Sequence, residues 1–86
     1  MRQDAEFFGE QELDLIYIAK RLADAQGLEE QLTAAGWDYY VEADEYSGGF
    51  LFQTKRTGAF FYVLLERAPE AREFLKERGY KPQPPV

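Results

Sequence analysis

The chain has 86 residues, a formal net charge of −6, and neither cysteine nor histidine. A chain of this length holds one domain that buries about 60–65% of its unfolded surface, and 45% hydrophobic with 16% aromatic residues gives it a core to pack. The missing cysteine excludes disulfides and thiolate metal sites and points to a cytoplasmic location; the missing histidine removes the usual general base near neutral pH; the acidic balance repels a nucleic-acid backbone.

The amino terminus, Met1-Arg2-Gln3-Asp4-Ala5-Glu6, has no apolar signal core, and no stretch approaches the roughly 18–20 apolar residues of a membrane span. Neither secretion nor membrane insertion is expected. Residues 1–12 read as an arm that carries the pair Phe7-Phe8. Residues 13–19, with Leu15, Ile16, Tyr17 and Ile18 in succession, predict a strand that is apolar on both faces. Over residues 21–35, Leu22, Ala25, Leu28, Leu32 and Ala35 recur at three- and four-residue spacings, the stripe of an amphipathic helix. Gly36 follows as its left-handed stop, and Gly27 within it permits a close approach to the sheet.

Residues 37–43 alternate, Trp37, Tyr39, Val41 and Ala43 on one side, Asp38, Tyr40 and Glu42 on the other, as a half-buried strand requires. Asp44-Glu45-Tyr46-Ser47-Gly48-Gly49 reads as a turn, residues 50–54 as a short strand, Lys55-Arg56-Thr57-Gly58 as a second turn and residues 59–65 as a strong strand. Ala68-Pro69-Glu70 opens a last helix that Gly79 closes, with Ala71, Phe74, Leu75 and Arg78 as its inward stripe and Tyr80 packing back. Residues 81–86 read as a frayed tail and residues 13–80 as the single domain.

The order strand, helix, three strands, helix predicts an α+β, ferredoxin-like two-layer sandwich (β-α-β-β-β-α) that lacks the usual last strand. Tyr17-Ile18-Ala19, Leu22-Ala23-Asp24-Ala25, the exit Ala34-Ala35-Gly36 and the helix Glu70-Ala71-Arg72-Glu73-Phe74-Leu75 make the chain similar to a small bacterial family of signal-transducing proteins of unknown function. That family is related by fold to the nitrogen-regulatory PII-type proteins. The resemblance implies a signalling loop across residues 44–58, with Tyr46 in it, and a regulatory role.

An open sheet face holding Tyr40, part of Phe50-Leu51-Phe52 and part of residues 60–65 would expose a contiguous aromatic patch that something must cover. The candidates are the Phe7-Phe8 arm folding across it or a second subunit, and the expected interface is Phe7, Phe8, Tyr40, Phe50, Phe52 and Phe61. Lys55, Arg56, Thr57 and Gly58 are the candidate anion or effector loop. Lys20-Arg21 is the other adjacent basic pair, read as a solvated helix start, and too few cations accompany the aromatics for RNA. Glu42, Asp44, Glu45, Glu10 and Glu12 lack the spacing of a calcium loop, and Tyr17 and Tyr62 read as packed rings with wet hydroxyls. No catalytic, metal or cofactor residue is assigned. The expectation is a non-enzymatic interaction or regulatory domain acting as a homodimer, with a protein partner or small effector, and the alternative is a PII-like effector sensor.

Overall fold

A computed structural model of the chain describes residues 1–48 and 54–85. Its elements are a single helical turn α1 (Ala5–Phe8), strand β1 (Leu13–Ala19), helix α2 (Leu22–Ala34), strands β2 (Tyr40–Gly48) and β3 (Thr54–Leu64), a 3-10 turn (Leu65–Arg67) and helix α3 (Ala68–Glu77). The strands form one antiparallel sheet in the order β1-β3-β2, so the fold is α+β.

Side chains alternate across a strand, and that parity divides the sheet. On one face Tyr17, Ala19, Tyr39, Val41, Ala59, Phe61 and Val63 meet Leu28 and Leu32 of α2 and Ala71 and Leu75 of α3. Ile16, Leu28, Leu32, Phe61 and Leu75 are fully buried there, each stabilising the fold by about 1.5–3 kcal/mol. Ile16 joins this core through a bulge: the pairing steps from Leu15 opposite Tyr62 to Tyr17 opposite Phe61, leaving Ile16 out of the ladder.

The helix ends follow their signals. Gly36 and Gly79 adopt φ of 81° and 84°, the left-handed conformation that ends a helix without a Cβ clash. After Gly79 the chain turns back. The Tyr80 amide donates to the Leu75 carbonyl at 3.0 Å, its ring stands edge-on to Tyr17 at 5.4 Å, and its hydroxyl accepts from Gln31 at 3.2 Å. Gly27 faces that hydroxyl, 3.5 Å from where a Cβ would sit, rather than the sheet.

Three expectations need correction. Residues 44–47 and 55–58 were expected as turns from their polar composition, yet they are strand: Asp44 pairs with Gly58, Glu45 with Thr57, Tyr46 with Arg56 and Ser47 with Lys55. The cross-strand ladder overrides the turn chemistry, and the sheet has three strands among the described residues instead of four. In α3 the inward position belongs to Arg72, while Arg78 is exposed and lays its guanidinium 3.6 Å from the Phe74 ring centre.

The third correction concerns the tail. Arg72 is 9% exposed; its Nε donates to the Gln83 carbonyl at 2.7 Å, and its Nη2 donates to Asp14 at 2.8 Å and to the Leu15 carbonyl at 3.2 Å. The Gln83 amide donates to the Ile16 carbonyl at 2.7 Å. The tail therefore docks on the free edge of β1 at the bulge. Pro82, Pro84 and Pro85 have no N–H to extend that pairing, and prolines blunt an edge for this reason.

Candidate functional site

The sheet face opposite the helices carries Leu13, Leu15 and Ile18 from β1, Tyr40, Glu42, Asp44 and Tyr46 from β2, and Arg56, Gly58, Phe60, Tyr62 and Leu64 from β3, by strand parity. Helices α2 and α3 pack against the other face, while Phe8 of α1 is buried outside that helix-side core. Tyr40 and Tyr62 face each other with ring centres 5.9 Å apart, and the leucines, Ile18 and these tyrosines are half-buried. Partial burial, then the nearby Glu42 and Asp44 carboxylates and Tyr40, raise the Tyr62 hydroxyl above its ordinary pKa of 10.0.

The expected interface residues separate. Tyr40 lies on the open face. Phe61 does not: it is fully buried among the helix-side residues, stacked with Tyr39 at 6.0 Å. Its neighbour Phe60 is the open-face ring, 9% exposed. The one-residue difference reverses the side because the pleat has period two. Phe8 is buried and Phe7 is 56% exposed, while Phe50 and Phe52 lie outside the described residues. The arm pairs Arg2 with Tyr39 and donates from the Gln3 amide to the Tyr39 carbonyl at 2.8 Å, so it begins alongside the start of β2.

Lys55, Arg56 and Thr57 are exposed on β3 and Gly58 is buried within it, so the four form no loop. A Cβ at Gly58 would stand 3.0 Å from Tyr46 Cε1, 3.1 Å from the Ala19 carbonyl oxygen and 3.1 Å from Ile18 Cγ2. The glycine lets the Tyr46 ring close onto β1. Beyond Ala59, whose partner on β1 is the last strand residue Ala19, the β2–β3 ladder continues alone to Gly48 opposite Thr54. It projects as a two-stranded ribbon.

Where the ribbon leaves the sheet, a cleft of about 820 Å³ opens, lined among others by Tyr17, Lys20, Arg21, Asp24, Tyr46 and Lys81. Lys20 leaves β1 and holds its ammonium 5.4 Å above the centre of the Tyr46 ring. Arg21 precedes α2. Asp24, in the first turn of α2, accepts from the Tyr17 hydroxyl at 2.6 Å. Burial, with that carboxylate second, pushes the Tyr17 hydroxyl well above the ordinary tyrosine value, so it stays a donor.

Sequence reasoning passed over this cleft. Lys20 and Arg21 are adjacent and read as a solvated helix start, and Lys81 is about sixty residues away and joins them only because the tail docks. No signal in the sequence announces that docking. No helix among the described residues is long and apolar enough to cross a membrane. Compared with family models, with curated proteins and with solved structures, the chain gave no match.

Proposed function

We propose that this chain is a non-enzymatic interaction domain of the ferredoxin-like type without its last strand, and that it works as a homodimer joined through the open sheet face. The observation that carries the reading is the Tyr40–Tyr62 pair standing half-buried among Leu13, Leu15, Ile18 and Leu64 on the face opposite α2 and α3. Half-buried apolar side chains gathered on one face of an acidic chain suit a partner that completes their burial. A second copy suits it. In a two-fold contact the same patch meets itself, and this patch carries exposed Glu42 and Asp44 together with exposed Arg56, charges of opposite sign that a two-fold axis can bring together at the rim. The resemblance to the signal-transducing family and the absence of cysteine support a regulatory role in the cytoplasm.

Light scattering across a concentration series tests it. The full chain is expected at twice its monomer mass, and Tyr40→Glu with Tyr62→Glu at the monomer mass with an unchanged far-ultraviolet circular dichroism spectrum. A wild-type chain that remains monomeric at all concentrations overturns the dimer.

A second reading, a small-effector sensor, is favoured by one observation: the cleft beside the ribbon gathers the charged Lys20, Arg21, Asp24 and Lys81 with Tyr17 of β1 and Tyr46 of the ribbon around a volume suited to a small molecule.

A further inference from the structure

We infer that the cleft between the start of α2, the β2–β3 ribbon and the docked tail binds a compact, multiply charged anion of the phosphate class. The inference rests on the effector-sensor reading, whose ligand class it names, and is independent of dimerisation.

The distribution of ion pairs carries it. The chain has ten lysines and arginines. Arg2, Arg67, Arg72, Lys76 and Arg78 each lie within 4.0 Å of a carboxylate. Among the described residues Lys20, Arg21, Lys55, Arg56 and Lys81 have no such partner, although acidic residues outnumber basic ones 16 to 10. Random pairing on an acidic surface would not leave the unmatched cations together, yet all of them lie at one end of the molecule. Lys20 and Arg21 follow Ala19, which pairs with Ala59 where the ribbon begins, and Lys55 and Arg56 are on that ribbon. Lys81 is brought to the same end because the next residues are held on β1, through Gln83, and by Arg72.

Lys20, Arg21 and Lys81 line the cleft itself. Against them stands one carboxylate, Asp24, already engaged by the Tyr17 hydroxyl at 2.6 Å. The excess of cations attracts an anion, and Asp24 confines it to the Lys20–Arg21–Lys81 side. A guanidinium offers two parallel donors matched to phosphate oxygens and the ammoniums supply point charge, a combination suited to phosphate. A multiply charged ligand is needed because the chain's field of −6 opposes approach and each exposed cation contributes little alone. The same field disfavours extended polyanions, nucleic acid and anionic membrane, which would run past the cleft onto acidic surface.

Two-dimensional amide spectra of the full 86-residue chain, recorded at low salt during titration with pyrophosphate, test the inference. Saturable shifts are expected at Lys20 to Asp24, Tyr46 and Lys81 to Gln83. Arg21→Gln, Lys20→Gln and Lys81→Gln should each weaken binding about fivefold, a little under 1 kcal/mol of lost attraction, while Lys76→Gln, on an ion-paired lysine outside the cleft, should not change it. Asp24→Asn keeps an acceptor for Tyr17 and removes the opposing charge, so it should tighten binding about threefold, a gain that a misfolded variant cannot mimic. Unsaturable drift, equal weakening by Lys76→Gln, or tighter binding of an oligonucleotide or of anionic vesicles than of pyrophosphate would overturn the inference. Saturable cleft shifts from neutral or cationic small molecules but not from pyrophosphate would overturn the anion while the sensor reading stands, and a cleft that no small molecule perturbs would overturn both.

Discussion

Replacing Arg72 with methionine removes a buried cation and leaves its partners in place. Asp14 would keep a carboxylate whose side chain is 15% exposed, facing a site where the guanidinium was 10% exposed. Breaking a buried pair from one side costs about 3–5 kcal/mol, and the residual water access at Asp14 sets the expectation at the low end, about 3 kcal/mol. A domain of this size is stable by about 4–13 kcal/mol, so the loss is a large share of the total. It lowers the melting temperature by about 12–24 °C, at 4–8 °C per kcal/mol. Denaturant unfolding followed by Trp37 fluorescence measures the loss, and hydrogen exchange at the Gln83 amide reports whether the tail has left β1. Adding Asp14→Leu removes the stranded charge and should recover about 1–2 kcal/mol, while the carbonyls of Leu15 and Gln83 stay without their donor. A loss below about 0.5 kcal/mol, the size of a surface pair, with Gln83 still protected, would refute the reasoning that Arg72 clamps the tail.

Gly58→Ala should destabilise by about 1–2 kcal/mol in the same unfolding assay, because the added methyl meets the Ala19 carbonyl oxygen at 3.1 Å and a backbone atom of the neighbouring strand cannot yield as a side-chain tip can; unchanged stability would mean that β1 and the ribbon are not in contact there. The sheet should also weaken in alkali. Tyr17, Tyr39 and Tyr62 hold their protons above the ordinary value of 10.0 in the fold, while the unfolded chain releases them near pH 10. The folded state thus binds more protons from about pH 10 upward, and the stability it draws from them is complete below that pH and is lost as pH rises toward the folded values. Unfolding midpoints across this range should fall less steeply in Tyr17→Phe than in the wild type, and equal slopes would show that Tyr17 titrates normally.

Local signals determined most of the fold that could be read in advance. The spacing of Leu22, Ala25, Leu28 and Leu32 marks α2, the apolar run from Leu15 to Ile18 marks β1, and Pro69 with Gly79 brackets α3, because each is a property of consecutive residues. The ribbon was missed because Asp44, Glu45, Lys55, Arg56 and Gly58 are poor strand formers singly and become strand only through register with one another. Phe61 was misassigned for a related reason. Both Phe60 and Phe61 are aromatic, so composition cannot say which parity faces the helices; only the register, with Phe61 opposite Tyr17 and Val41, puts it among the helix-side residues. Arg72 and Lys81 owe their places to contacts spanning tens of residues, beyond the reach of any short window.

The ribbon beyond Ala59 also sets a gradient of persistence along the sheet. Ala59 to Tyr62 are held by strands on both sides, while Thr54 to Gly58 are held by β2 alone. Transient openings therefore start at the outer rungs and travel inward until they meet the double-sided ladder. Tyr46 lies on the single-sided part and also walls the cleft, so a ligand resting there slows the fraying of rungs it never touches. Occupancy at one end of the molecule is thereby written into the exchange rates of the hairpin, a readout that needs no displacement of any folded element.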